Sequence, residues 1–186
     1  MKKSLLIALL IPSLSFAQKF EVSEMGGYSS NQSTPFFENN GGYCNQLSVC
    51  DYIAKYTSVG VYYELNSWNP SINTIGLLAD FHGGHLYFGV SAGEVFFDTK
   101  KIAVSPLYYL NSNTNYIVEP SIINIKVNPA IALGAHVGLT QKLYKHFSVK
   151  EQVGYSYAHS NGNYENDNFS LKMRCLSALA GIAYHF

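Results

Sequence analysis

The sequence lacks any apolar run long enough to cross a bilayer as a helix once its first 17 residues are set aside. A transmembrane helix requires about 20 consecutive residues that are predominantly apolar. Charged side chains are also scarce, at 13% of the 186 residues, which is about half their share of a typical soluble domain. The basic residues are few and scattered, so they do not form the cationic stripe of a nucleic-acid-binding protein. A nucleic-acid partner is therefore not expected.

Cysteine is rare as well, and the three residues Cys44, Cys50 and Cys175 cannot all pair within one chain. Cys44 and Cys50 could close a small loop if their segment were irregular. On a strand, however, their six-residue separation corresponds to about 20 Å, which is too far for a disulfide. No histidine or second cysteine stands at metal-ligand spacing beside any of the three. We expect no intrachain disulfide, no metal site and no cofactor.

The first residues have the three-part organisation of a secretory signal peptide. Two lysines form a positive n-region, residues 5–11 form an apolar segment, and residues 15–17 include the small side chains that a signal peptidase recognises. We therefore predict a signal peptide over residues 1–17 and cleavage before Gln18. This would leave residues 18–186 as a single exported domain of 169 residues.

Aromatic residues are abundant, at 15%, and apolar residues alternate with polar or small ones along much of the chain. Alternation with a period of two is typical of a β-strand with one apolar face. Ile131, Leu133 and Val137, for example, share one face of such a segment, whereas Gly134 and His136 lie on the other. Eight segments of this kind are predicted as strands: about residues 20–28, 42–52, 57–65, 72–81, 85–97, 129–142, 147–159 and 169–186.

These eight strands predict an all-β fold, a closed antiparallel transmembrane β-barrel. An exported chain without apolar helices can satisfy its backbone hydrogen bonds in lipid only as a closed sheet. Short connections then lie at one end of the barrel and longer ones at the other: 53–56, 82–85 and 142–146 against 31–41, 66–71, 98–128 and 161–168. Residues 98–128 contain two further strand-like segments, so a barrel of ten strands is an alternative.

The last predicted strand resembles the insertion signal of bacterial outer-membrane barrel proteins. Phe186 is the final residue of the sequence, Tyr184 stands two positions earlier, and apolar residues occupy every second position upstream. In that family the barrel-assembly machinery reads this strand, so the resemblance implies that Tyr184 and Phe186 carry an assembly signal. It also implies a small porin-like barrel in the outer membrane of a Gram-negative bacterium, in contact with outer-membrane lipid and lipopolysaccharide.

Polar residues on the inward faces predict how the barrel interior is filled. This set includes Glu21, Glu64, His136, Lys150 and Gln152. The interior of an eight-stranded barrel is just wide enough for its own side chains, and buried charges must pair or hydrogen-bond. We interpret the set as a structural plug in which Glu21 and Glu64 face Lys150 and His136. A narrow conduit for ions or small solutes is the alternative, since a general diffusion porin would require roughly twice as many strands.

An enzymatic activity is not expected. Some small barrels that the sequence resembles, the lipid A deacylases, carry His and Ser close together at the outer rim, and here His159 and Ser160 precede Glu165 and Asp167. Adjacent residues on a strand point to opposite faces, and the pair His159-Ser160 lacks the intervening residue of the deacylases' His-any-Ser pattern. A lipid A acyl-hydrolase is therefore a less favoured alternative to a structural or surface-interaction role.

The longer connections are rich in Asn, Ser and Tyr, which are residue types that suit adaptable hydrogen bonding to a partner. Such residues occur at 31–33, 39–40, 111–116 and 161–168. They are consistent with adhesion or with binding of an external surface ligand. The same residues equally suit solvated loops that bind nothing.

Five charged residues interrupt the outward-facing apolar rows: Glu24, Glu94, Glu151, Lys172 and Arg174. A charge is costly at the bilayer midplane and nearly free at the interfaces. At about 2.5 Å per tilted residue, Arg174 would lie about 30 Å from the periplasmic rim, where cations could meet lipopolysaccharide phosphates. Glu24 and Glu151 lie deeper, so we predict that each is either near an interface or turned inward by a β-bulge.

Overall fold

The computed structural model describes residues 19–34, 40–67, 71–97, 102–103, 122–123, 126–164 and 167–186. The predicted signal peptide, 1–17, and the 111–116 segment lie outside the described residues. Among the residues that are described, no helix is long and apolar enough to cross a membrane.

Eight long strands and three strands of two residues make up the described part of the chain. In chain order they are β1 Phe20–Thr34, β2 Asn40–Ala54, β3 Thr57–Asn66, β4 Ile72–Gly83, β5 Leu86–Phe97, β6 Ile102–Ala103, β7 Ile122–Ile123, β8 Lys126–Val127, β9 Ala130–Lys142, β10 Phe147–Tyr164 and β11 Asp167–His185.

The long strands form one closed antiparallel barrel. Each strand pairs with the next along the chain, with β9 following β5, and β1 pairs with β11 from Glu21↔His185 to Thr34↔Lys172. This last pairing leaves no sheet edge unpaired, as a spanning sheet requires. The prediction of eight strands is confirmed. The ten-stranded alternative is wrong, because the described parts of 98–128 contribute only the short β6–β7 pair and a two-residue extension, β8, beside β10.

The connections divide between the two ends of the barrel as predicted. The turns after β2, β4 and β9 are short, and they lie at the same end as Phe20 and Phe186. Gly84 in the second of these turns has a φ of 71°, a conformation that glycine adopts without a steric penalty. In outer-membrane barrels the short-turn end is periplasmic, and we call it the periplasmic end below.

The strands at the opposite end are longer than the sequence indicates. Residues 31–34 and 161–164, expected in loops, continue β1 and β10, and β10 pairs with β11 without a break up to Tyr164↔Asp167. The asparagines here are predicted from the sequence to lie in the longer connections. Outside the membrane, however, the outer face of a hairpin contacts water and does not require apolar residues. Its strands can therefore continue to pair without the apolar alternation that marks the membrane-spanning part.

The outer surface of the barrel carries a continuous belt of exposed apolar side chains. Leu77 is 66% exposed, Ile131 72% and Leu133 60%, whereas a soluble barrel would bury residues of this size. Aromatic rings border the belt at the periplasmic end, where Phe81 stacks on Phe88 with 5.0 Å between centroids. Such a belt with aromatic girdles is the surface that transmembrane barrels present to lipid.

Glu24 and Glu151 both point outward, and no bulge turns either of them into the lumen. The pairings of β1, β10 and β11 keep one register past both positions, so the bulge alternative is wrong and the predicted register is right. Each glutamate is four residues from the periplasmic start of its strand, or about 10 Å at the tilted rise. Asn45 on the neighbouring strand donates a hydrogen bond of 3.4 Å to Glu24, which partly satisfies that carboxylate.

Candidate functional site

Four charged or titratable side chains from four strands meet in the periplasmic half of the lumen. Lys150 Nζ lies 2.7 Å from Glu21 Oε1 and 4.0 Å from Asp80 Oδ2, and His136 Nε2 lies 2.7 Å from Asp80 Oδ1. Each residue occupies an inward position of its strand, and Lys150 and Glu21 are each 2% exposed. We call Glu21, Asp80, His136 and Lys150 the charged layer.

Hydrogen bonds from flanking side chains complete the charged layer. The Tyr52 hydroxyl donates to Glu21 Oε2 at 2.8 Å, and the Tyr87 hydroxyl donates to Gln152 Oε1 at 3.1 Å. The Lys150 ammonium also lies 4.7 Å from the centre of the Tyr87 ring, within range of a cation–π interaction. A buried charge is tolerated when it is paired and hydrogen-bonded, and in this layer Lys150 is paired with Glu21, which also accepts the hydrogen bond from Tyr52.

Glu64 belongs to a separate layer nearer the middle of the lumen. It accepts hydrogen bonds from Gln46 Nε2 at 3.2 Å and from Asn66 Nδ2 at 2.8 Å, and Asn66 in turn accepts one from Ser29. Glu64 and His136 line the same cavity, but the predicted pairing of Glu64 with a cation is wrong, because the amides of Gln46 and Asn66 hydrogen-bond its carboxylate. We call Gln46, Glu64 and Asn66 the amide layer.

Asp80 is the carboxylate that the sequence analysis missed. It is 3% exposed and holds His136, the role expected for one of the two glutamates. Strand parity in the sequence could have found it: Ile75, Leu77 and Phe81 form an apolar outward row on β4, so period two places Asp80 on the inward face.

The outer end of the lumen is filled by apolar rather than polar side chains. These residues, which we call the apolar layer, are all at most 7% exposed: Ile72, Val95, Ala132, Ala158, Leu171 and Met173. Glu64 and Cys175 both line two small cavities in the lumen, of about 20 and 30 Å³. A volume of this size holds about one or two waters.

The three cysteines are free thiols that belong to the lumen packing. Cys44 and Cys50 lie on inward positions of β2 and are 0% and 2% exposed, and Cys175 packs beside the apolar layer. They form no disulfide in the structure, as the strand spacing predicted for Cys44 and Cys50.

His159 and Ser160 do not form a catalytic pair. His159 is exposed on the outer face of β10 and lies 2.7 Å from the Ser170 hydroxyl, whereas Ser160 is 4% exposed and donates to the Asn128 carbonyl. The two side chains point to opposite sides of the barrel wall, as strand geometry predicts. Histidine therefore cannot activate this serine as a nucleophile. Glu165 lies outside the described residues.

Tyr184 and Phe186 lie together where the barrel closes. The Phe186 amide donates to the Phe20 carbonyl at 2.8 Å. The two rings meet edge to face at 4.7 Å, and Phe147 on β10 contacts Tyr184 in the same way at 4.9 Å. The pair therefore joins the first, penultimate and last strands at the periplasmic rim.

The closed sheet, the exposed apolar belt and the filled lumen define a small outer-membrane β-barrel of eight strands. No family model matches the sequence, and no curated protein matches it either.

Solved structures that resemble the chain belong to the same class. Neisserial surface protein A has 17% identity over 90% of this chain and 97% of its own, with a TM-score of 0.56. Outer membrane protein OprG from Pseudomonas aeruginosa has 12% identity over 91% and 96%, with a TM-score of 0.53. The outer membrane protein AlkL, solved in lipid bilayers, has 12% identity over 89% and 90%, with a TM-score of 0.50. At these identities the similarity establishes the fold.

Proposed function

We propose that this protein is a non-conducting, non-enzymatic barrel that has a structural or surface-interaction role in the outer membrane. The observation that carries the proposal is the buried Glu21–Lys150 ion pair, in which both side chains are 2% exposed. An ion in transit would have to displace a lysine that is held by two carboxylates and a tyrosine ring. Displacement would leave buried charges unpaired, at a cost of several kcal/mol.

The apolar layer supports the same proposal independently. It fills the outer end of the lumen on the side opposite the charged layer, so a solute would meet two obstructions of different chemistry. An apolar constriction excludes ions because it offers them no replacement for their hydration shell. With its lumen filled, the barrel acts through its exterior, its loops or both, and adhesion or binding of a surface ligand by the Asn- and Ser-rich connections is the role we favour.

Planar-bilayer recording of the refolded protein tests the proposal. We expect no discrete conductance steps in potassium chloride, with insertion verified by protease protection of the barrel in parallel vesicles. Steady single-channel steps would overturn the plug and support the narrow conduit. The Glu21→Gln/Lys150→Met variant is recorded in parallel. Any conductance steps that pass through the charged layer should change in size in this variant.

The non-enzymatic part of the proposal has its own test. Release of fatty acid from lipopolysaccharide by the same purified protein would contradict it.

We also propose that Tyr184 and Phe186 carry the assembly information for the barrel. Phe186→Ala removes the ring that contacts Tyr184 at the closing seam, so we expect the fraction of folded barrel in the membrane to fall severalfold. Phe88→Ala is the matched control, since Phe88 is 54% exposed at the same rim and stacks on Phe81. Heat-dependent gel mobility of envelope fractions measures the folded fraction. Equal losses for the two variants would show that only the interfacial aromatic surface matters and that Phe186 has no special role.

A further inference from the structure

Three basic side chains project from the outer face of the β10–β11 hairpin: His159, Lys172 and Arg174. Lys172 is paired with His159 across the strands, and Arg174 is paired with Tyr157. All of these side chains are exposed. We call the three basic residues the rim patch. Directly opposed residues on adjacent strands lie about 5 Å apart and diagonal ones 7–8 Å apart, so one ligand group can contact several of them at once.

The rim patch adjoins the outer edge of the lipid belt. Leu176, two residues from Arg174 on the same face, is 55% exposed, and Ile131 and Leu133, which pair with His159 and Tyr157, are 72% and 60% exposed. Arg174 is twelve residues from Phe186, or about 30 Å at the tilted rise, whereas the apolar band of such barrels is about 25 Å tall. The cations therefore lie at the level of the outer-leaflet headgroups.

Lys172 and Arg174 form no ion pair with any of the side chains that the structure describes. All four ion pairs found among these side chains lie in the lumen, between His136, Lys150 or His185 and the carboxylates of Glu21 and Asp80. The polar groups described beside the rim patch are neutral: the hydroxyls of Tyr157 and Ser170 and the amide of Gln32, which pairs with Arg174. Two cations flanked by neutral hydrogen-bonding groups are suited to a phosphate, which arginine can contact with two parallel hydrogen bonds.

We propose that the rim patch binds the phosphorylated headgroup of lipopolysaccharide in the surrounding leaflet. Charge complementarity selects the phosphate, and the exposed Ile131, Leu133 and Leu176 beside the patch select a ligand that also carries acyl chains. A free anion would satisfy the cations but would leave these apolar side chains uncovered. The bound lipid would pack along β9, β10 and β11, with its phosphate on Lys172 and Arg174 and its chains against the belt below.

Binding of lipopolysaccharide to the folded protein in phosphatidylcholine nanodiscs tests the proposal. The variant is Lys172→Gln/Arg174→Gln, and the matched control is Lys145→Gln, an exposed lysine in the periplasmic turn. We expect the double variant to bind intact lipopolysaccharide at least about tenfold more weakly, the effect of losing two charge-assisted contacts. The control should bind like the unaltered protein. Equal affinity of the double variant and the unaltered protein would overturn the proposal.

Two further arms use the unaltered protein and so do not depend on the folding of a variant. Dephosphorylated lipopolysaccharide should bind about as weakly as intact lipopolysaccharide binds to the double variant, and undiminished binding would contradict recognition through phosphate. Inorganic phosphate at millimolar concentration should not displace the lipid. Effective displacement would mean that the patch is a site for free anions, which would overturn the assignment to a lipid.

Discussion

Replacing Lys150 by methionine is expected to lower the free energy of unfolding of the barrel by about 3–5 kcal/mol, the usual effect of removing one partner of a buried ion pair. The substitution leaves Glu21 and Asp80 without the ammonium that lies 2.7 and 4.0 Å from their oxygens. Methionine has a similar length and no charge, so the loss arises from the unpaired carboxylates rather than from a cavity. Urea unfolding in phosphatidylcholine vesicles, followed by circular dichroism, measures it.

The interpretation of that loss depends on two companion variants. Lys145→Met alters an exposed lysine in a turn, and a surface substitution of this kind changes stability by about 0.5 kcal/mol or less. Glu21→Gln/Lys150→Met removes both partners of the short ion pair, so it should recover a large part of the stability lost in Lys150→Met. A single variant as stable as the unaltered protein would show that water reaches the charged layer and that the lumen is not packed as described.

The membrane-spanning frame of the barrel could be predicted from the sequence because strand parity is a local property. Alternation assigned Ile131 and Leu133 to the outer face and Lys150 and Glu21 to the lumen, and the structure has them there. Lipid on one side and a crowded lumen on the other impose opposite demands on neighbouring residues, so the pattern is strong wherever the chain is within the membrane. Beyond the membrane this constraint ends, and the extensions of β1 and β10 were interpreted as loops.

The partners within the lumen could not be predicted, since they depend on which strands face each other across the barrel. Strand parity shows that Glu64 and His136 both point inward. Their positions along the barrel axis, however, depend on the register shifts of all the strands between them. These shifts place Asp80 beside His136 and leave Glu64 among amides. The apolar layer was not predicted, because the filling of the lumen was inferred only from the polar residues on inward positions.

Introducing arginine at Leu77 is expected to lower the free energy of unfolding by about 2–4 kcal/mol, the cost of a basic residue at the lipid-facing midplane of a barrel. Leu77 lies near the middle of β4, between Val61 and Ala92 on the neighbouring strands, and is 66% exposed. In water such an exposed position would accept arginine at almost no cost. The predicted loss therefore depends on lipid surrounding the belt.

Leu143→Arg provides the matched comparison for this prediction. Leu143 is 64% exposed, almost the same fraction as Leu77, but it lies in the turn between β9 and β10 at the periplasmic end. The cost of a basic residue falls to about 0–1 kcal/mol near the interface, so the two variants should differ by about 1–4 kcal/mol when urea unfolding is measured in the same vesicles. Equal effects would mean that depth in the bilayer does not distinguish these leucines. The apolar belt of β4 would then not be the surface that the barrel presents to lipid.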